Sequence, residues 1–363
     1  MKLTSELTRK LGEVILCLGI AGSLLQAQEA EATLATARFH VVQDGRYVPG
    51  VKPEDVILLE DGAPRKFTIF ENGEGSTTAK PVEVTLVFDT SGGVMDMDLL
   101  DPLMLKEAFL DALPGVKLAV YGFSKTLNRY TLPTSGVAPL TAAVNTLRAG
   151  GAGEQVGPRL TGGTTAALVA VLKEAASTPG QASRMVVVFS EALEKSANAS
   201  GAAGLSNELG IAVYPVVLGH ADLLQRLGIA RRNLQTAIQT EQMNQVGPLP
   251  QANSKKNSTQ APRVSDELKA ARNRANKLED LETEAKGLKR LGDATGGRAY
   301  DPTAMDPGVM KTIWGAIALE TSTQYAVGFP VGTSLKPKNH KVEIRLADPQ
   351  KGTVRGGQLS VRY

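Results

Sequence analysis

The sequence predicts an α/β protein in which a doubly wound, mostly parallel sheet is joined to a small β-sandwich built from N- and C-terminal strands. Three observations carry this. Apolar runs at 84–88, 118–121, 185–189 and 211–218 lack alternation, as strands covered on both faces do. Helical stripes lie between them, clearest in Leu168, Val171, Leu172 and Ala175, with Leu103, Leu110 and Leu113 marking an earlier one. Near the C-terminus Lys341-Val342-Glu343-Ile344-Arg345-Leu346 alternates strictly, as do Leu359, Val361 and Tyr363 with their neighbours, so these strands have one wet face and stand outside the buried sheet.

Taken in order, Lys2, Arg9 and Lys10 precede an apolar run at 14–25, and Leu25-Gln26-Ala27 resembles a signal-peptidase site. Residues 1–27 therefore read as a secretory signal, with a run shorter than the about 20 residues of a membrane span. The single cysteine, Cys17, lies inside this run without the small preceding residue of a lipoprotein signal. The expected mature chain is secreted or periplasmic, has no transmembrane span and folds without disulfides. Residues 33–80 hold short β-rich runs at 39–43, 47–48, 56–59 and 66–70, with Asp44-Gly45 and Asp61-Gly62 as hairpin signals.

The α/β domain is placed at 81–323. After Gly219 the composition shifts towards Gln, Asn, Arg and Lys, which marks an insertion at about 220–276. Leu223, Leu227, Ala230, Leu234 and Ile238 keep a helical stripe, while 242–262 has no apolar periodicity and reads as a disordered loop. Leu278, Leu281, Ala285 and Leu288 resume a helical face that ends at Gly296-Gly297, and Val309, Ile313, Ala316 and Ile317 mark a final helix. Residues 324–363 return to strand and are expected to pair with the N-terminal region, since chain termini often lie close together.

The 363 residues suit about two domains. Forty Lys+Arg against thirty-seven Asp+Glu, net +3, is too balanced for a dedicated nucleic-acid binder. One Cys and three His leave little for zinc or thiol chemistry. His40, His220 and His340 stand in separate segments without partner spacing and read as surface or turn residues. No nucleophile with its base, P-loop or dinucleotide loop is visible, so the chain is not read as an enzyme. Basic residues gather in the insertion, where residues 222–290 count thirteen basic and eight acidic side chains. This is either a solvated surface or an arm for an acidic partner or the membrane surface.

In a doubly wound sheet, ligands bind beyond the carboxyl ends of the strands. Asp89-Thr90-Ser91-Gly92-Gly93 follows one apolar run, Ser190-Glu191 follows another, and Gly162-Gly163-Thr164-Thr165 opens the helix bearing Leu168. Carboxylates and hydroxyls without His or Cys make a hard-oxygen site suited to Mg²⁺ or Ca²⁺. Plainer roles are open to the same residues. Asp89 and Ser91 would cap a first helix, Thr164 or Thr165 is a good N-cap, and Glu191 a solvated loop carboxylate. Asp96 and Asp98 would be either a helix start or a substitute carboxylate.

These residues resemble a von Willebrand factor type A domain, whose metal-ion-dependent adhesion site uses an Asp-x-Ser-x-Ser strand end, a Thr at a helix start and an Asp after a later strand. Asp89 and Ser91 match the first two positions, Thr164 matches the third segment, and Glu191 stands where the family has Asp. Gly93 replaces the second Ser and removes a hydroxyl ligand, and Glu191 is one methylene longer, so the resemblance implies a degenerate site with Mg²⁺ as its cation. Val56-Ile57-Leu58-Leu59-Glu60-Asp61-Gly62, Leu291-Gly292-Asp293-Ala294-Thr295-Gly296-Gly297-Arg298-Ala299-Tyr300 and Gln324-Tyr325-Ala326-Val327-Gly328-Phe329 extend it to the von Willebrand factor A-related proteins of Acidobacteria. It implies a vWA, Rossmann-like fold and an exported adhesion or assembly module that binds a protein partner at the carboxyl edge of its sheet. The alternative is a metal-independent scaffolding protein of the cell envelope that uses the β-sandwich or the basic insertion. Oligomeric state stays open.

Overall fold

In the computed structural model the described residues are 34–44, 46–72, 82–91, 100–161, 163–177, 183–190, 199–245, 265–303, 306–331 and 338–362. The expected signal segment 1–27 lies outside them, as does most of the loop expected at 242–262. Five strands come first: β1 (Leu34–Gln43), β2 (Arg46–Tyr47), β3 (Val56–Glu60), β4 (Ala63–Arg65) and β5 (Ile69–Asn72). The middle of the chain holds β6 (Val82–Asp89), α1 (Pro102–Leu105, continued as a π-turn over Lys106–Leu110), β7 (Lys117–Phe123), β8 (Leu127–Thr134), α2 (Val137–Arg148), β9 (Glu154–Val156) and α3 (Gly163–Ser177). It continues with β10 (Ser183–Ser190), α4 (Ala199–Leu209), β11 (Ala212–Val217), α5 (His220–Gln245), α6 (Asp266–Ala294) and α7 (Pro307–Thr323). Strands β12 (Tyr325–Pro330), β13 (Asn339–Leu346), β14 (Thr353–Gly356) and β15 (Gln358–Arg362) close the chain.

The apolar runs form the parallel part of a six-stranded sheet of order β11-β10-β6-β7-β8-β9, with β8 and β9 antiparallel at one edge. Because side chains alternate across a strand, Leu86 and Phe88 point to one face and Val87 to the other. The first face is covered by α1, α2 and α7 through Leu105, Leu140, Val144, Trp314 and Ile317, and the second by α3, α4 and the last third of α6 through Leu168, Leu172, Ala202, Leu288 and Leu291. Two apolar faces are why these strands carry no polar alternation.

Strands from both ends of the chain share two further sheets, β14-β1-β12-β5 with β2 on β1, and β15-β13-β3-β4. They enclose a core of Phe39, Val41, Leu58, Tyr325, Phe329, Val342 and Ile344, the small β-sandwich that the alternating patterns predict. Asp44 and Asp61 adopt left-handed backbone (φ 50 and 52) at the β1–β2 and β3–β4 turns, which is what the Asp-Gly dipeptides require.

The sandwich meets the α/β layer through a buried polar seam. Glu320, near the end of α7, is 0% exposed. Its Oε1 accepts from Tyr300 Oη at 3.2 Å, its Oε2 lies 2.9 Å from Arg355 Nη2 on β14, and Arg298 Nη1 is 3.6 Å from Oε1. Arg355 also donates to Tyr47 Oη at 2.8 Å. Burial, with Glu320 close by, pushes the Tyr47 hydroxyl up to about 12 and raises Tyr300 as well, so both remain donors at any physiological pH.

His40 on β1, expected at the surface, is fully buried in this seam because the end of α7 at Glu320 and the Tyr47 ring lie over its side chain. Its Nε2–H donates to the Glu320 carbonyl at 2.9 Å, and Nδ1 has no partner among the described residues. Protonation would place a second N–H where nothing described accepts it. Burial, with Arg355 near, holds the His40 pKa below its ordinary value against the opposing pull of Glu320. Between the lowered folded value and the unfolded value of about 6.5, the unfolded chain binds more protons. This contribution is therefore complete above about pH 6.5 and lost as pH falls through the folded value. Urea denaturation at pH 7.5 and pH 5 should show a larger acid loss in the wild type than in His40→Gln; equal losses would refute this account.

Candidate functional site

The chain leaves β6 towards β7, β8 and β9 on one side and returns to β10 and β11 on the other, so the topological switch lies between the carboxyl ends of β6 and β10. A crevice opens at such a point. Asp89 is the last residue of β6, Ser190 the last of β10, and Thr164 stands in the first turn of α3, which leads into β10. The pairing of Phe88 with Phe189 sets the two strand ends level. All three side chains are buried. Thr90 anchors the loop after β6 by donating its N–H and its hydroxyl to the Phe123 carbonyl at 2.8 and 2.9 Å.

A hydrogen-bonded chain joins these segments. Ser91 donates both N–H (2.9 Å) and Oγ–H (2.5 Å) to Asp89 Oδ1. Ser190 Oγ donates to Asp89 Oδ2 at 3.1 Å, and Thr164 Oγ1 lies 2.6 Å from Ser190 Oγ. A hydroxyl has one proton, so with Ser190 committed to the carboxylate, Thr164 is the donor to Ser190. Of the residues singled out from sequence, Asp89, Ser91 and Thr164 are thus brought together, Thr164 through Ser190. Glu191, Gly93, Asp96 and Asp98 lie outside the described residues. Ser190 is the participant that sequence reasoning passed over in favour of its neighbour; its place as the last residue of a core strand was the available signal. Thr164 sits inside the first turn of α3 rather than capping it, and α1 takes its cap from Asp101, which accepts the Leu103 N–H at 2.8 Å.

The donor set is oxygen only, and cis ligands of an octahedral Mg²⁺, at about 2.1 Å each, stand about 3.0 Å apart. The 2.5 to 3.1 Å separations along this chain are within small side-chain adjustments of that spacing. Asp89, Ser91 and Thr164 thus offer the oxygen chemistry of a hard divalent cation, with Thr164 reaching the carboxylate through Ser190, and a bound cation would replace hydrogen bonds that these oxygens now make to one another.

A second cluster marks the carboxyl end of β11. His220 opens α5 and is buried rather than on a surface turn, because the last third of α6 packs beside it. Its Nδ1 is 2.8 Å from Asp301 Oδ2 and 3.1 Å from Lys289 Nζ, and Lys289 also pairs with Asp301. In the sandwich, His340 Nδ1 lies 2.9 Å from Glu60 Oε1 and 3.0 Å from Asp61 Oδ2. Arg65 pairs with that Glu60, and the Lys341 N–H occupies Asp61 Oδ1, so this carboxylate–imidazole group is already satisfied by protein partners.

No protein-family model and no curated protein matches the chain. Solved structures similar to it include a von Willebrand factor type A protein from Catenulispora acidiphila (10% identity, 92% of this chain and 74% of that one, TM-score 0.37). BatB from Bacteroides thetaiotaomicron is similar at 12% identity over 67% of this chain and 100% of its own, with a TM-score of 0.36. The PilB minor pilin from Streptococcus sanguinis is similar at 10% identity over 69% of this chain and 64% of its own, with a TM-score of 0.38. Among the described residues, no helix is long and apolar enough to cross a membrane.

Proposed function

We propose that this chain is an exported binding module of the von Willebrand A type, which captures a protein partner at the carboxyl edge of its central sheet. The observation that carries the reading is the convergence of Asp89, Ser91, Thr164 and Ser190, from three separate segments, into one chain of oxygens at the topological switch point, buried at Asp89, Thr164 and Ser190 and exposed at Ser91. Asp89 and Ser91 would hold the cation and Thr164 would complete the protein side, with Glu191, next in sequence after β10 and outside the described residues, as the remaining ligand proposed. Bound there, Mg²⁺ supplies a coordination position that a carboxylate of the partner fills. Few protein ligands suffice, because Mg²⁺ keeps several waters. The chain's own task is to hold the acceptors in place. Ser190, held by Thr164, fixes one oxygen of Asp89, Thr90 pins the chain after β6, and the burial of Asp89, Ser190 and Thr164 limits their motion.

Titration calorimetry with Mg²⁺, Mn²⁺ and Ca²⁺ at millimolar concentration tests this. The wild type should bind at least one ion, and Asp89→Ala should weaken it by at least about tenfold through loss of the only described carboxylate in the chain. Absence of a binding heat from the wild type with all three ions would end the metal-dependent reading. Thr164→Val, which keeps the volume and removes the hydroxyl, should weaken binding less than Asp89→Ala.

A further inference from the structure

The resemblance that singles out Asp89, Ser91 and Thr164 gives Ser190 no part in the site, yet the hydrogen bonds run through it. Ser190 is 1% exposed, and its Oγ stands between the other two buried groups. It donates to Asp89 Oδ2 at 3.1 Å, and Thr164 Oγ1 lies 2.6 Å from it. Each hydroxyl has one proton, so the order runs from Thr164 to Ser190 to Asp89. With its proton turned to Ser190, Thr164 has only lone pairs left to face a cation. Asp89 likewise keeps Oδ2 on Ser190 and has Oδ1 for the ion. These two hydrogen bonds are compatible with a bound cation.

Ser91 is placed differently. It is exposed, and its Oγ–H donates to Asp89 Oδ1, the oxygen that an ion would take, at 2.5 Å. That is the spacing of a charge-assisted hydrogen bond, roughly twice as strong as one between neutral groups. A cation on Oδ1 displaces this bond, so Ser91 gives up one strong interaction as it gains another. Water can also fill the position of Ser91, because Mg²⁺ keeps several waters. Rotation of the Ser91 side chain is the one movement required, since Thr90 ties the preceding backbone to the Phe123 carbonyl.

We infer that Ser190, rather than Ser91, is the hydroxyl on which cation affinity at this site chiefly depends. Ser190 is a positioning residue. It holds the Asp89 carboxylate and the Thr164 hydroxyl in the one arrangement in which both turn lone pairs, and no proton, towards the ion. Without it, Asp89 Oδ2 and the Thr164 proton, both buried, lose the partner they have among the described residues. The Thr164 proton is then free to turn towards the ion, and the carboxylate gains freedom that binding has to remove. Loss of Ser91 has no such consequence, because the bond it frees on Oδ1 is the one that the cation replaces. The inference rests on the cation-binding reading of Asp89 and deepens it.

Titration calorimetry with Mg²⁺ and Mn²⁺ on the full chain tests this in Ser190→Ala, Ser190→Thr, Ser91→Ala, Thr164→Val and the double variant Ser190→Ala/Thr164→Val. Ser190→Ala should weaken binding by about tenfold, the low end for losing a group that orients a metal ligand. Ser190→Thr restores the hydroxyl and should bind more tightly than Ser190→Ala. Ser91→Ala should weaken binding less than Ser190→Ala does. Because Thr164 acts with Ser190, the double variant should lose little beyond Ser190→Ala, whereas independent residues would multiply their losses. Thermal unfolding without metal shows that each variant folds, and if Ser190→Ala does not, Ser190→Cys, a weaker donor of similar volume, replaces it. A wild type that binds neither ion overturns the cation site and this inference with it. Where the wild type binds, three results overturn this inference alone: a Ser190→Ala affinity equal to that of the wild type or of Ser190→Thr, a greater loss in Ser91→Ala than in Ser190→Ala, or multiplied losses in the double variant.

Discussion

Glu320→Ala is expected to cost about 3–5 kcal/mol of folding stability, the range for removing one partner of a buried ion pair. The carboxylate is 0% exposed and faces Arg355, Arg298 and the Tyr300 hydroxyl. Arg298 is half exposed and would turn to water, but Arg355, with 27% of its side chain exposed, would keep a largely desolvated charge with Tyr47 as its one remaining oxygen partner among the described residues. The same deletion leaves a cavity where α7, β2 and β14 meet. Glu320→Gln keeps the volume and an acceptor for Tyr300, so it should lose less than Glu320→Ala. Urea unfolding monitored by circular dichroism gives both values. A loss below about 1 kcal/mol in Glu320→Ala would show that the seam is not held by this ion pair.

Gly297→Ala should destabilise by about 3 kcal/mol or more, above the usual range for overpacking. A Cβ at residue 297 would lie 2.1 Å from the Val213 carbonyl oxygen and 2.8 Å from its carbon. Both obstacles are backbone of β11, paired along its length with β10, so no rotamer change relieves them. Displacing the segment would also pull on the bonds from Tyr300 N–H to Pro215 O (2.8 Å) and from Val217 N–H to Tyr300 O (2.9 Å), which hold it along β11. Gly315→Ala is the internal control of opposite sign. A Cβ there meets nothing within 4 Å on an exposed helix face, and the exchange should stabilise by up to about 1 kcal/mol through helix propensity. Equal effects of the two substitutions on thermal unfolding would refute the steric account.

Much of this architecture was legible before the fold was seen. The runs at 84–88, 185–189 and 211–218 became β6, β10 and β11 because a strand buried on both faces leaves no place for polar alternation. The alternating pattern of 341–346 became β13, with Val342, Ile344 and Leu346 inward. Strand β8 was missed: at a sheet edge its side chains are mostly half-buried, which gives neither a continuous run nor a clean alternation. Asp89, Ser91 and Thr164 were selected because a strand end or a helix start at the carboxyl edge is a property of chain order. Ser190 was not, since its role depends on which oxygen of Asp89 it meets across two strands.

By itself, then, the sequence determined the alternation of strands and helices, the two hairpin turns, the oxygen-only character of the strand-end segments and the local helical stripes of the insertion, all of which are effects of neighbours along the chain. Tertiary structure decided the rest. Whether His40, His220 and Glu320 face water depends on what stacks over them, and two helical stripes become an arm only when each covers the other. Charge and apolar area are written residue by residue, but desolvation is set by the elements that close over them, and those come from distant parts of the chain.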